Sequence, residues 1–285
     1  MNCRMLVLRW RRNGKPSMDV RRRIPHTALR SLVRSFEERR GALGPDRLTW
    51  PLTARPHQII DIYLGDPFRL RIDGGPLQAA PETVVVGPQG SRRIQLYASG
   101  EVHIFNILLQ PAALNRLVGV DMTSLVNEGI PACDVLGRRA MLLSDAVRLA
   151  ADFDSRVAAA ERWFGMMQDG SSAQDGIDHA SRLLLESRGR VRIDHLVRQS
   201  GLSARHFQRR FTAQVGLSPK LYARTVRFDA TLTAHRNQPA KPWTGIIHAA
   251  GYFDQAHFIR ECHALVGVGP SHFVGDWENI FSPDG

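Results

Sequence analysis

The last hundred residues of this 285-residue chain repeat themselves, and that repeat constrains the fold more than any other feature. Leu196, Val197 and Gly201 recur at an offset of 50 as Ile246, Ile247 and Gly251. Beyond the turn the offset becomes 51, and Phe207, Gly216, Pro219 and Tyr222 recur as Phe258, Gly267, Pro270 and Phe273. A one-residue change of offset at a turn is what two copies of one supersecondary unit with unequal turns produce. Each copy reads as helix, tight turn, helix. In the first, Ile193, Leu196 and Val197 make an apolar face, Gly201 takes the turn, and Ser203 is a good N-cap for a helix whose Phe207, Phe211 and Val215 face inward at i, i+4, i+8.

The positions left outward carry chemistry. Arg205, Gln208, Arg209 and Arg210 surround Phe207 in the first copy, and Gln255, Ala256, Ile259 and Arg260 surround Phe258 in the second. Arg pairs in bidentate fashion with guanine, Gln with adenine, and further Arg residues suit phosphate. One such helix pair is weak evidence, because helices joined at a Gly occur in many bundles. A duplicated pair with matched Gly, Phe and Pro positions is much stronger. Between the copies, residues 219–235 read as a connecting helix with Arg224 and Arg227 open to phosphate or solvent.

The stretches GLSARHFQRRFTAQVGLSPKLYARTVR and IIHAAGYFDQAHFIRECHALVGVGPSHF resemble the DNA-binding domain of the AraC/XylS transcriptional regulators over residues 180–277. The resemblance implies seven helices forming two helix-turn-helix units joined by a long helix, with both recognition helices entering successive major grooves of double-stranded DNA. It places the base-reading positions on Arg205, Gln208 and Arg209 of the first unit and on Gln255, Ala256, Ile259 and Arg260 of the second. It also implies RNA polymerase as a partner. Two positions depart from the family pattern. Phe253 stands where a small capping residue is common, so Asp254 is the expected cap beside the turn glycine Gly251, and Cys262 replaces an aromatic core residue. Ala256 and Ile259 cannot donate hydrogen bonds, so the second unit is expected to give apolar contacts and backbone positioning, with Ile259 placed for a thymine methyl.

Upstream the patterning is different. Residues 26–40 carry Leu29, Leu32, Val33 and Phe36 at helical spacing, which predicts one short helix. Residues 57–64, 68–72, 83–86, 93–97 and 102–109 are β-rich runs separated by turn signals such as Asp73-Gly74-Gly75-Pro76, Gly87-Pro88 and Ser99-Gly100. Short strands at this spacing predict an antiparallel sandwich or barrel. Helices are expected over 112–118 and, as one long amphipathic segment, over 139–167, with Leu142, Ala146, Leu149, Phe153, Val157, Ala160 and Phe164 as its stripe. That stripe either covers the barrel or pairs with a second copy of the chain. Residues 168–178 have linker composition.

The segments PLTARPHQIIDIYLGDPF, VVVGPQG and FNILLQPAALNRLVGVDM resemble the N-terminal domain of a subset of the same regulators. That likeness implies a small cupin-like barrel that senses a ligand or mediates dimerisation. A barrel of this size can hold one small molecule, although most are filled by side chains. His57, His103, Asp61, Glu82 and Glu101 show no metal-ligand spacing, and no phosphate cradle or nucleophile elbow is present, so neither metal, cofactor nor catalytic residue is expected.

Composition adds limits. The formal net charge is +11, with the basic residues concentrated at the two ends of the chain and an acidic middle. Lys occurs only as Lys15, Lys220 and Lys241 and the rest of the basic residues are Arg, an excess that base composition in the coding DNA also produces. Charge therefore does not by itself establish nucleic-acid binding. Residues 1–23 are expected to be a basic disordered arm or a start-site artefact. The three cysteines, Cys3, Cys133 and Cys262, are far apart, no apolar run is long enough to span a membrane, and the apolar patch Met5 to Leu8 before Arg9 is too short for a signal peptide's apolar region, so the expected location is the cytoplasm, at the nucleoid.

The expected fold is α+β in two domains: a small cupin-like antiparallel β-barrel with flanking helices over 24–167, a linker over 168–178, and an all-α domain of two helix-turn-helix units joined by a long helix over 179–279. The expected function is a transcriptional regulator that recognises double-stranded DNA and is modulated through its N-terminal domain by a small-molecule effector or by homodimerisation. An enzyme with a cupin-like catalytic domain fused to a DNA-binding module is the alternative. A constitutive DNA-binding protein whose barrel only dimerises is a third reading.

Overall fold

The computed structural model describes residues 6–9 and 18–270 apart from 91–93, 169 and 239, with backbone only for 6–9 and 44–51. Most of the basic arm (1–5 and 10–17), Phe273 of the repeat and residues 271–279 of the second domain lie outside the described residues.

The N-terminal domain is built on one antiparallel sheet of β1 (Leu6–Arg9), β2 (Asp19–Arg23), β3 (Val33–Leu52), β4 (Gln58–Tyr63), β5 (Arg69–Ile72), β6 (Leu77–Ala79), β7 (Thr83–Val86), β8 (Ile94–Leu109) and β9 (Gly129–Pro131). The order β1-β2-β3-β8-β4-β7-β9, with β5 on β8 and β6 on β5, is an open path, so the sheet does not close into the expected barrel. The α+β organisation in two domains is as expected. On one face of the sheet, Phe36, Ile60, Ile62, Phe105 and Ile107 pack under α1 (Ala113–Val118), α2 (Ala132–Leu136), α3 (Arg139–Leu149) and α4 (Phe153–Gln168). On the other, Ile59, Tyr63, Phe68, Leu96, Ile104 and Leu108 form a second cluster.

Four local expectations are corrected. Residues 26–40 are not a helix: a 3-10 turn at Thr27–Leu29 leads into β3. Leu29 and Leu32 fill the turn and Val33 and Phe36 the strand, all in one core cluster. Pairing of β3 with β2 and β8 on its two edges overrides the helical spacing. Asp19–Arg23 form β2 against β3, so this end of the basic arm is ordered by strand pairing. The Ser99-Gly100 signal is not a chain reversal: 94–109 is a single strand, and Gly100, at φ 74°, sits where the register with β3 shifts. Turn chemistry is spent there on a bulge.

The long helix over 139–167 is two helices. Asp152 accepts from the Ser155 N–H at 2.8 Å while Ser155 Oγ accepts from the Asp152 N–H at 3.1 Å, a reciprocal cap that starts α4 afresh. The break resets the phase of the apolar stripe. Ala140, Leu143 and Val147 face the core, while Leu142 and Leu149 are exposed.

The C-terminal domain contains α5 (Gly176–Glu186), α6 (Ile193–Ser200), α7 (Ala204–Val215), α8 (Pro219–Asn237), α9 (Trp243–Ala249) and α10 (Gln255–Val266). Phe207, Phe211, Val215, Tyr222 and Leu196 form one core, and Phe228, Ile247, Tyr252, Phe258 and Cys262 another, with α8 contributing to both. Among the described residues no helix is long and apolar enough to cross a membrane.

Candidate nucleic-acid interface and adjoining cavity

The two repeat copies adopt one geometry. Gly201 ends α6 in the left-handed region at φ 67°, and Gly251 takes the equivalent turn at φ 85°. The Ser203 side chain accepts from the His206 N–H at 3.3 Å and Asp254 from the His257 N–H at 2.6 Å, so each second helix starts on a side-chain cap. Phe207 and Phe258 are both buried in the cores that hold those helices. Phe253 is exposed and caps nothing. Cys262 fills its core position, and burial pushes its thiol up to about 12.

Around these anchors α7 exposes Arg205, Gln208 and Arg209, and α10 exposes Gln255, Ala256 and Arg260 with Ile259 half-buried. Arg210 behaves differently from its neighbours. Its Nη2 donates to Asp175 Oδ2 at 2.6 Å, and Gln214 Nε2 donates to the same oxygen at 2.9 Å. Asp175 also caps α5 through the Ile177 and Asp178 N–H groups. Burial raises the Asp175 carboxyl, but the hydrogen bonds from Gln214 and these two N–H groups, with the Arg210 charge, outweigh it and hold it below its usual range. Asp175, the N-cap of α5, thus ties α7 to the start of α5. Nothing local in the sequence marks this role, because the partners are 35 and 39 positions apart. On the other unit, Arg224 of α8 donates to both oxygens of Glu261 on α10 at 3.1 and 3.2 Å.

The sheet domain touches this surface. A Cβ added at Gly216, the residue ending α7, would meet the Met122 carbonyl oxygen at 2.9 Å and Pro88 and Val126 at 3.0 Å, which shows how closely the two domains pack. Asp121, which caps the turn at Met122–Leu125, and Thr123 within it line a groove of ≈ 740 Å³ together with Arg205, Gln208, Arg209 and Thr212. Hydrogen bonds from the Thr123 hydroxyl and N–H hold the Asp121 carboxyl below its usual range, so it is an anion at neutral pH.

A second interdomain link runs through His57. Arg34 Nη1 lies 2.8 Å from His57 Nδ1, and since a guanidinium can only donate, Nδ1 accepts. The ring proton is therefore on Nε2, which donates to Asp229 Oδ2 of α8 at 3.1 Å. Beside this link the open side of the sheet holds a cavity of ≈ 120 Å³. Ile59, Phe68, Leu70, Leu96, Ile104 and Leu108 form its apolar wall. Its polar end gathers Arg39, Arg55, His57, Asp61 and Asn106 of the sheet domain with Asp229 and Arg236 of α8. Burial lowers the Arg55 guanidinium and raises the Asp61 carboxyl, the latter against a 2.6 Å hydrogen bond from Asn106. The residues singled out from the sequence for metal or catalysis separate here: His57 and Asp61 line the cavity, His103 lies 3.3 Å from Glu38 on another side, and Glu82 pairs with Arg148. Among the described residues no three His, Cys, Asp or Glu side chains gather as metal ligands would.

Residues 196–275 match the family model described as a helix-turn-helix domain. No curated protein matches the sequence. Among solved structures, ToxT from Vibrio cholerae is similar at 9% identity and TM-score 0.46, covering 92% of this chain and 98% of its own. The AraC-like transcriptional activator CuxR is similar at 12% identity and TM-score 0.34, covering 75% and 81%. An ethanolamine utilization protein from Salmonella typhimurium is similar at 9% identity and TM-score 0.24, covering 38% and 98%. With two capped helix pairs in one repeat and the family match across both, the C-terminal part of the chain is a helix-turn-helix domain, a DNA-binding fold.

Proposed function

We propose that α7 and α10 read successive major grooves and that a small amphipathic molecule in the sheet cavity adjusts how they do so. Arg205, Gln208 and Arg209 are the sequence-reading side chains of the first unit. Gln255, Ala256, Ile259 and Arg260 serve the second, where contacts are more apolar. The observation that carries the effector half is the shared lining of the cavity: Asp229 and Arg236 belong to α8, which joins the two units, while the other walls belong to the sheet domain. An occupant that hydrogen-bonds at the polar end changes the surroundings of His57 and Asp229, and so the seating of α8 on the sheet. An apolar wall with a few convergent polar groups is what small-molecule sites present.

The DNA half is tested by selecting bound duplexes from a random pool and footprinting the winner. Two protected regions about 10 bp apart are expected; protection of a single major groove would show that the second unit is idle. The effector half is tested with a medium-chain carboxylic acid and the matched alcohol and amine as probes. A bound probe raises Tm and shifts DNA affinity, and the cavity-filling variant Leu96→Trp loses both responses. If none of the three probes moves Tm or DNA affinity in the unsubstituted protein, the cavity is not an effector site of this chemistry.

A further inference from the structure

The two helix-turn-helix units meet at a basic cleft that lies outside the base-reading positions. Its volume is ≈ 230 Å³, and its lining includes Arg188, Arg190, Arg227 and Lys241 with Gln238 and, among the described residues, no carboxylate. One wall is the turn that leads into α6. Arg188 holds φ 55° there, and Gly189, at φ 72°, is pressed so closely on α8 that a Cβ would strike the Ala223 carbonyl. This pins Arg188 and Arg190 against α8. Arg190 Nε donates to the Ser187 carbonyl at 3.2 Å, which steadies its guanidinium. The opposite wall is α9 and Lys241 just before it. Arg227, on α8 between them, stacks 5.7 Å over the Tyr252 ring, in the turn that launches α10, and its buried Nε has no hydrogen-bond partner.

We propose that this cleft binds a phosphodiester of the DNA backbone between the two major grooves. Four cations without an anion repel one another, and an anionic occupant removes that repulsion. A free phosphate or nucleotide has the same chemistry. Position favours DNA: the cleft is walled by both units and adjoins the turn into the second recognition helix, and a duplex held by α7 and α10 in successive grooves carries its backbone past that junction. The inference rests on the DNA-binding reading and adds to it a site that positions the duplex without reading sequence.

The test is the salt dependence of DNA binding by the full chain. Arg190 and Lys241 are exposed, so Arg190→Ala with Lys241→Ala leaves the cores intact. The slope of log K against log salt is expected to become less negative by about 1 for each phosphate that is no longer neutralised. Specific and random duplexes should lose affinity equally. Arg205→Ala serves as the contrast, because it weakens the specific duplex selectively. An unchanged slope in the double variant, with the unsubstituted protein still binding DNA, overturns the cleft proposal and leaves the regulator reading intact. Loss of inorganic phosphate or pyrophosphate binding in the double variant, without any change of DNA slope, assigns the cleft to a free anion and equally overturns it. If the unsubstituted protein binds no DNA at all, the underlying reading falls first.

Discussion

His57 Nε2 donates to Asp229 Oδ2 at 3.1 Å, and this hydrogen bond ties the sheet domain to the helix joining the two helix-turn-helix units. The Asp229 carboxyl is half-buried, and desolvation raises it, but the hydrogen bond from His57, with the charges of Arg236 and Arg34, outweighs this and holds it below its ordinary 3.8. A depressed folded pKa means stability that is present above the unfolded value and lost as pH falls through the folded one. Thermal melts of the intact protein should therefore decline as pH drops below about 4. In Asp229→Asn this part of the decline should be absent. His57→Ala leaves the half-buried carboxylate short of its donor and should cost about 1–3 kcal/mol at neutral pH. Equal acid sensitivity of the parent and Asp229→Asn would show that the link contributes nothing.

Arg205→Ala or Arg209→Ala should cost about 1–3 kcal/mol on the selected duplex and relax base choice at the contacted position. Competition assays with single-base variants of that duplex read this directly. Equal losses on selected and random DNA would show that the two side chains meet only phosphate.

Asp121 shares a groove with those same arginines, and its carboxylate repels any phosphate that follows α7 into the major groove. Asp121→Asn keeps the side-chain oxygen that caps the Thr123 N–H and removes only the charge. It should tighten DNA binding several-fold at low salt, with the gain shrinking as salt screens it. Weaker binding in this variant would show that the carboxylate contacts DNA favourably.

Phe207 and Phe211 fill the first core completely, so Phe211→Ala should destabilise the domain by about 3–5 kcal/mol. Ser203→Ala and Asp254→Ala remove one cap each and should cost about 0.5–2 kcal/mol. Denaturant unfolding separates the two classes, and a cap effect as large as the core effect would mean that α7 or α10 depends on its cap for more than its first turn.

The second domain was legible because its signals are local. Turn glycines at 201 and 251, caps at 203 and 254 and the aromatic anchors Phe207 and Phe258 act within a few residues, and the repeat states them twice. The sheet domain was legible as strands and turns but not as a topology. A 3.6-residue spacing at Leu29, Leu32, Val33 and Phe36 lost to strand pairing on two edges, and the Gly100 signal became a bulge inside one long strand. Arg210 read as an outward side chain, because its partner Asp175 lies in a segment with linker composition.

By itself, then, the sequence determined the two helix-turn-helix units and the exposed Arg205 and Arg209, since backbone propensity, capping and helical periodicity are properties of neighbours in the chain. Only the tertiary structure decided the open sheet, the cavity shared with Asp229 and Arg236, the Asp175 anchor of α7, and the basic cleft between the units. Each of these depends on burial and charge brought together from distant positions, where desolvation makes a partner decisive and no local pattern announces it.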